Sequence, residues 1–361
     1  MPKKVLVAMS GGVDSSITAA LVKQEGYDVI GVTMQIWPKD QPHPDQEGSC
    51  CSLSAIEDAR RVAQKLDIPY YVMNFRDYFK EKVIDYFIEE YLRGRTPNPC
   101  IACNQHVKFQ ALLSKALALE TDFIATGHYA RIYFDKERNR YLLAKAEDSN
   151  KDQTYVLYGF SQEQLSRTLM PLADYTKPQI REMAKEMGLS VANKPESQEI
   201  CFVPDDNYRN FLEEKVGDRI KPGPFLDTQG NKIGQHKGIS YYTIGQRRGL
   251  GLALGEPVYV VDIDPEHNAV VVGSDWEVFS RGLTASDVNY ILFDKLDRPM
   301  EVMAKIRYKS KEVPALIQPM SDGRVNVEFK DNQKAVTPGQ AVVFYQEQVV
   351  VGGGTIEKAL K

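Results

Sequence analysis

The sequence predicts an α/β N-terminal region with a parallel sheet and helices on both faces, then a small, mostly β central domain and a C-terminal β-barrel. Three observations carry that prediction. From residue 4 to about residue 130, short β-rich runs alternate with helical stretches, as in strands joined by crossover helices. Beyond Lys221-Pro222-Gly223-Pro224 the helical stretches give way to β-rich runs and tight turns. The last of these runs are spaced as in a small barrel or sandwich.

In chain order, Val5 to Met9 reads as the first strand, followed by a helix to Lys23 and a strand from Asp28 to Met34. A helix from Ser54 to Leu66 and a strand from Tyr70 to Met73 come next. A helical stretch from Tyr78 to Tyr91 meets Arg95-Thr96-Pro97-Asn98-Pro99-Cys100-Ile101-Ala102-Cys103-Asn104, whose two prolines predict a loop. A helix from Lys108 to Leu119, a buried strand from Phe123 to Thr126 and a helix from Pro178 to Met187 follow, the last with Gly188 just past its end. The β-rich part reads as strands at Val258 to Ile263, Ala269 to Val272, Val302 to Tyr308, Val325 to Phe329 and Ala341 to Tyr345. With a break near Arg281-Gly282, the expected domains are residues 1–205, 206–280 and 281–361.

Composition narrows the function classes. A chain of 361 residues is long enough for two or three domains, each with its own core. No apolar run approaches the roughly 18 residues that span a bilayer, and Met1 to Met9 reads as a strand rather than a signal peptide. A cytoplasmic protein is expected. Five cysteines, an odd number without secretory features, point to thiols, metal ligands or catalytic sulfur rather than a disulfide framework. A net charge of −4 confines any nucleic-acid contact to local patches. Lys305-Ile306-Arg307-Tyr308-Lys309-Ser310-Lys311 is the most basic, followed by Gln246-Arg247-Arg248; solvated strand faces explain either patch alone equally well.

Ser10-Gly11-Gly12-Val13-Asp14-Ser15-Ser16 lies between the first strand and the first helix. There its backbone N–H groups face one concavity with the positive end of the helix dipole behind it, an anion site. Gly11 and Gly12 permit close approach to phosphate, Ser10 and Ser15 supply hydroxyls, and Asp14 is a candidate Mg²⁺ ligand. The Walker lysine is absent. This loop resembles that of the PP-loop ATP pyrophosphatases (adenine nucleotide alpha-hydrolase-like). The resemblance implies ATP contacts from Ala8, Met9, Ser10, Gly11, Gly12, Val13, Asp14 and Ser15. It adds Met34 against the adenine and Gly127 near the nucleotide, both at C-terminal strand ends.

Cys100-Ile101-Ala102-Cys103 and Cys201 admit three readings: half a zinc site, a redox pair, or Cys103 and Cys201 facing each other across the nucleotide. Cys50-Cys51 is adjacent and reads as structural. Taken with the loop, five segments in register are similar to the tRNA-specific 2-thiouridylases across nearly the full chain. They are Arg95 to Asn104 with Lys108-Phe109; Gly127-His128-Tyr129-Ala130-Arg131; Lys151-Asp152-Gln153-Thr154-Tyr155; Ser197-Gln198-Glu199-Ile200-Cys201-Phe202; and Tyr242 to Leu250 with Lys305 to Tyr308.

That resemblance implies ATP-dependent adenylation of the C2 oxygen of a wobble uridine in tRNA, with Mg²⁺, followed by sulfur transfer. It makes Cys201 the persulfide carrier and Cys103 the partner nucleophile. It places Asn98, Pro99 and Cys100 against the target base, and His128, Lys151, Asp152, Gln153, Arg307, Tyr308 and Gln340 against the tRNA. Some relatives have aspartate where this chain has Cys100, which removes an acid/base role there. Sulfur would come from a carrier protein or cysteine desulfurase bearing a persulfide. An iron–sulfur cluster on Cys100, Cys103 and Cys201 is the alternative. Other classes fit less well: the loop begins at residue 10, leaving no room for a preceding glutaminase or the RNA-binding domain of 4-thiouridine synthesis, and a nucleotide sensor needs neither Cys103 nor Cys201.

Overall fold

The computed structural model describes residues 2–37, 53–195, 200–203 and 207–361. Cys50-Cys51 and Ser197-Gln198-Glu199 lie outside them. The chain divides into two compact units. Unit 1 comprises residues 1–84, 100–204 and 348–350; unit 2 comprises 85–99, 205–347 and 351–361.

In unit 1, β1 (Lys4–Ala8), β2 (Asp28–Gln35), β3 (Tyr70–Asn74), β4 (Phe123–Ala125) and β7 (Thr168–Leu169) form a parallel sheet in the order β3-β2-β1-β4-β7. Val5, Leu6 and Val7 are fully buried although they alternate across the sheet, so both faces are covered, as the run of consecutive apolar residues requires. The core joins β1 to α1 (Val13–Gln24), α2 (Leu53–Lys65) and α8 (Lys177–Glu186) through Ile17, Ala59, Val62, Ile180 and Ala184. Strand order reverses at β1, whose neighbours are β2 on one side and β4 on the other. The crevice at such a switch point is where open α/β sheets bind ligands. A hairpin of β5 (Ala130–Asp135) and β6 (Arg140–Lys145) also belongs to unit 1; the sequence reading did not foresee it.

Between β3 and β4 the helices depart from expectation. The stretch read as one helix is α3 (Arg76–Phe79), a π-helical segment Lys80–Asp85 and α4 (Tyr86–Leu92). The region read as a proline loop contains α5 (Pro99–Ala102), which continues as a π-helical segment Cys103–Ala111 into α6 (Leu112–Ala118). Pro99 opens this helix instead of breaking it, because a first-turn residue has no intrahelical partner for the N–H that proline lacks. A short helix α7 (Gln162–Ser166) is fixed by a capping box between Ser161 and Gln164.

Unit 2 holds α4 and α9 (Tyr208–Val216), which meet through Phe87 and Phe211 and through a stacked pair, Tyr91 on Tyr208, with centroids 4.7 Å apart. A sheet of β8 (Gly223–Leu226), β9 (Lys232–His236), β10 (Tyr259–Asp264) and β11 (Ala269–Gly273) is ordered β10-β11-β8-β9. Six strands then close on themselves: β12 (Phe279–Tyr290), β13 (Met300–Lys305), β14 (Val313–Pro319), β15 (Val325–Lys334), β16 (Ala341–Gln346) and β17 (Val349–Leu360), in the order β12-β15-β14-β13-β16-β17 with β17 paired back to β12. Closure leaves no open edge. The interior is filled by Leu283, Ile317, Val327, Phe344 and Ile356. Arg307 and Tyr308 fall just past the end of β13, in a turn, and not on the strand expected there. Among the described residues no helix is long and apolar enough to cross a membrane.

Candidate active site

The loop between β1 and α1 is shaped by its own serines. Ser15 Oγ accepts from the Ser10 N–H at 3.1 Å and donates to the Gly12 carbonyl at 3.1 Å, while Ser16 Oγ donates to the same carbonyl at 2.8 Å. Gly11 has φ +70°, and a Cβ there would lie 2.2 Å from the Ala55 carbonyl oxygen. Both facts demand glycine. Gly127, two residues beyond β4, is equally constrained: its Cβ would sit 2.9 Å from Asp14 C and Ser15 N. The structure thus brings the nucleotide residues expected from the sequence to adjacent strand ends, with Met34 half-buried near the end of β2. Ala8 ends β1, while Met9 is core: 2% exposed, its N–H donates to the Val32 carbonyl and its sulfur packs against Gly31.

Three residues to which the sequence assigned no role, Tyr129, Lys177 and Lys194, complete the loop's surroundings. Lys177 Nζ lies 2.6 Å and 2.8 Å from the two carboxylate oxygens of Asp14, and the Tyr129 hydroxyl donates to Asp14 Oδ1 at 2.7 Å. Lys194 Nζ donates to the Gly11 carbonyl at 3.1 Å and pairs with Asp58 at 2.7 Å. Two ammonium groups therefore flank a glycine loop that has no Walker lysine. Lys177 occupies the first turn of α8, where the helix dipole disfavours a cation, and it is nevertheless 7% exposed.

Cys100 lies on α5 and Cys103 three residues later begins the π-helical segment, so one helical turn separates them. Cys100 is exposed; Cys103 and Cys201 are partly exposed. Asn104, buried beside Cys103, fixes the helix by donating to the Val156 carbonyl at 3.2 Å. Cys201 precedes Phe202, which is buried edge-on against Phe79 with centroids 5.8 Å apart. The aromatic anchor holds the turn that carries the thiol.

The residues expected at tRNA are not equally exposed. His128 is buried; Nδ1 pairs with Thr126 Oγ1 at 2.8 Å and Nε2 faces Lys108 Nζ at 3.5 Å. Burial, and secondarily the Lys108 charge, push its pKa well below that of an ordinary histidine, so the ring is neutral at pH 7. Gln153 and Tyr129 exchange two hydrogen bonds of 2.9 Å, Asp152 accepts from Thr154 at 2.7 Å, and Lys151 is half-buried. In unit 2, Asn98 is half-buried and Pro99 buried. Gln340 Nε2 donates to the carbonyls of Thr96 and Pro97 at 2.8 Å and 3.3 Å, bracing the segment that carries Asn98. Arg307 and Tyr308 are exposed.

Three family models match in succession: a tRNA methyl transferase HUP domain over residues 3–205, a tRNA methyl transferase PRC-barrel domain over 209–274 and an aminomethyltransferase beta-barrel domain over 280–356. The tRNA-specific 2-thiouridylase MnmA of Desulforamulus reducens is 61% identical over 360 residues, covering 99% of this chain and 98% of that protein. The chain belongs to the tRNA-specific 2-thiouridylase family. The 2-thiouridylases of Clostridium perfringens and Acetivibrio thermocellus are 58% and 59% identical, covering 99% and 98% of this chain. In this 2-thiouridylase-family chain the glycine loop after β1 and the partly exposed Cys103 and Cys201 all belong to unit 1.

Proposed function

We propose that this protein is a tRNA-uridine 2-sulfurtransferase that activates a wobble uridine with ATP and replaces its C2 oxygen with sulfur. The observation that carries this is the occurrence, in one unit, of an anion-binding loop flanked by Lys177 and Lys194 and of partly exposed thiols at Cys103 and Cys201. Methyl transfer, which two of the domain descriptions mention, needs neither.

The uridine C2 carbonyl is a weak electrophile. Attack of its oxygen on the α-phosphate of ATP releases pyrophosphate and turns that oxygen into part of AMP, a competent leaving group. The terminal sulfur of a Cys201 persulfide then adds to C2 and AMP departs. Cys103 thiolate attacks the Cys201 sulfur, freeing 2-thiouridine and leaving a Cys103–Cys201 disulfide, and an external dithiol supplies two electrons to reopen it. A persulfide-bearing carrier or cysteine desulfurase recharges Cys201. A wobble base reaches such a site because a single-stranded loop lets it splay out. A cytoplasmic location accords with ATP and tRNA as substrates.

Asp14 fits a hard cation, since its carboxylate sits in the first turn of α1 beside the phosphate loop. With Mg²⁺·ATP bound, Asp14 would supply an oxygen ligand and Lys177 would turn to the phosphates. The persulfide route uses Cys103 and Cys201 alone, whereas a cluster on Cys100, Cys103 and Cys201 requires iron in the active protein, so the iron content of active enzyme distinguishes the two. Incubation with ATP, a sulfur donor and unmodified tRNA, followed by mass spectrometry of anticodon nucleosides, tests the function. Absence of 2-thiouridine under both aerobic and anaerobic preparation refutes it.

A further inference from the structure

In unit 2 the Arg247 of the Gln246-Arg247-Arg248 patch and Arg307 belong to one cluster of cations and aromatic rings. Two cations share one ring: Lys334 Nζ stands 5.0 Å from the Tyr259 centroid, and the Arg247 guanidinium 6.0 Å. Lys334 also lies 5.8 Å from the Phe279 centroid. Arg307 joins the cluster through its Nη2, which donates to the Lys334 carbonyl at 3.2 Å. Asp275 supplies a counter-charge and pairs with Lys334. The Lys334 ammonium holds that carboxyl below the usual range, helped by the Tyr259 hydroxyl and the Arg247 charge.

Beside Arg247 opens a cavity of about 210 Å³ lined also by Gly249 to Leu252 and Glu256. Gly249, Gly251 and Gly255 have φ of +75°, +72° and +78°, and a Cβ at Gly251 or Gly255 would meet nothing within 4 Å. The glycines are thus required by backbone direction and not by crowding within the chain. The cavity is smaller than a drug-sized site and suits one sugar-phosphate unit.

We infer that Arg247, Lys334 and Tyr259, with the glycine loop 249–255, form a second tRNA-binding element that grips the ribose-phosphate backbone and extends the contact made by Arg307 and Tyr308. It rests on the proposed tRNA substrate. Three cations, Arg247, Lys334 and Arg307, gather here against the carboxylates of Asp275 and, on the cavity wall, Glu256, a local concentration of positive charge in a protein whose net charge is −4. A cation poised over an aromatic face meets phosphate while the ring offers a stacking surface. Asp275 acts as the placeholder that RNA phosphate displaces.

The test is tRNA binding over a salt series by the full-length protein and its R247A, K334A, R247A/K334A and D275N variants, using an unmodified tRNA transcript with a wobble uridine. The three substituted residues are at the surface, and unchanged melting temperatures verify the fold. R247A and K334A should each flatten the log–log salt slope by one phosphate's worth, roughly 0.7 to 0.9, and the double variant by about twice that. D275N should tighten binding several-fold. If the wild type fails to bind the transcript, the functional reading falls and this inference with it. If the wild type binds and the double variant titrates identically, this inference alone is overturned. It is likewise overturned if the double variant binds tRNA normally but no longer accepts sulfur, because the patch then serves an acidic protein donor.

Discussion

Lys177 and Asp14, far apart in sequence, meet at 2.6 Å, placing an ammonium group against the acidic residue of the phosphate loop. Lys177→Gln should lower kcat/KM for ATP by roughly ten- to a hundredfold, the worth of a charge-assisted hydrogen bond of about 1.5–3 kcal/mol. Lys177→Arg should recover part of this. Pyrophosphate release in the presence of tRNA is the measurement, and an unimpaired Gln variant refutes the role.

Gly127→Ala should disturb the same loop from the other side. The new methyl group collides with the backbone of Asp14 and Ser15, which a rigid strand end relieves only by moving, at about 1–3 kcal/mol. Thermal unfolding with and without ATP should show a lowered melting temperature and a diminished ATP-induced rise. A full ATP-induced rise contradicts it.

The three cysteines should separate by role. Cys201→Ser should accept no sulfur from a donor; Cys103→Ser should hold a persulfide on Cys201 without turning over; Cys100→Ser should keep most activity. All three should adenylate tRNA normally, because both thiols act after that step. Active protein containing iron, with all three variants equally dead, would instead establish a cluster.

His128 should make stability pH-dependent. Its folded pKa lies below that of the unfolded chain, so below about pH 6.5 the unfolded state binds the extra proton and stability falls with falling pH, by up to about 1.4 kcal/mol per unit. Above pH 6.5 the contribution is fully present. His236 is shifted in the same direction by burial, so the informative quantity is the difference between wild type and His128→Gln in denaturant titrations at several pH values. Parallel curves count against the assignment.

Gln340→Ala should release the carbonyls of Thr96 and Pro97 and slacken the segment bearing Asn98. KM for tRNA should rise while KM for ATP stays near its wild-type value. Steady-state kinetics with each substrate varied checks it, and equal effects on both would mean general destabilisation.

What could be read from the sequence was whatever depends on neighbouring residues. The strand, the glycine turn at Gly11-Gly12 and the following helix announce one another within twenty residues, so the loop was legible. The β-rich runs marked β13, β15 and β16 for the same reason, but not β12, β14 or β17. The roles of Lys177, Lys194 and Tyr129 were not legible, since only the fold carries Lys177 and Tyr129 to Asp14 and Lys194 to Gly11. Pro99 misled because proline marks both a chain break and a helix start, and the residues after it decide between the two. Arg307 and Tyr308 were placed on a strand because the apolar alternation runs up to Ile306 and nothing local marks its end.

The division of the chain has a consequence for how the protein is made. Residues 85–99 belong to unit 2, yet the helix carrying Phe87 and Tyr91 is synthesised well before Tyr208 and Phe211, on which it packs. During translation these aromatic side chains must wait without their native cover while all of residues 100–204 is added. The late closure of so long a loop adds to the entropic cost of assembling unit 2. It also means that a gene fragment starting at residue 205 encodes a β-rich domain with a hole in its side.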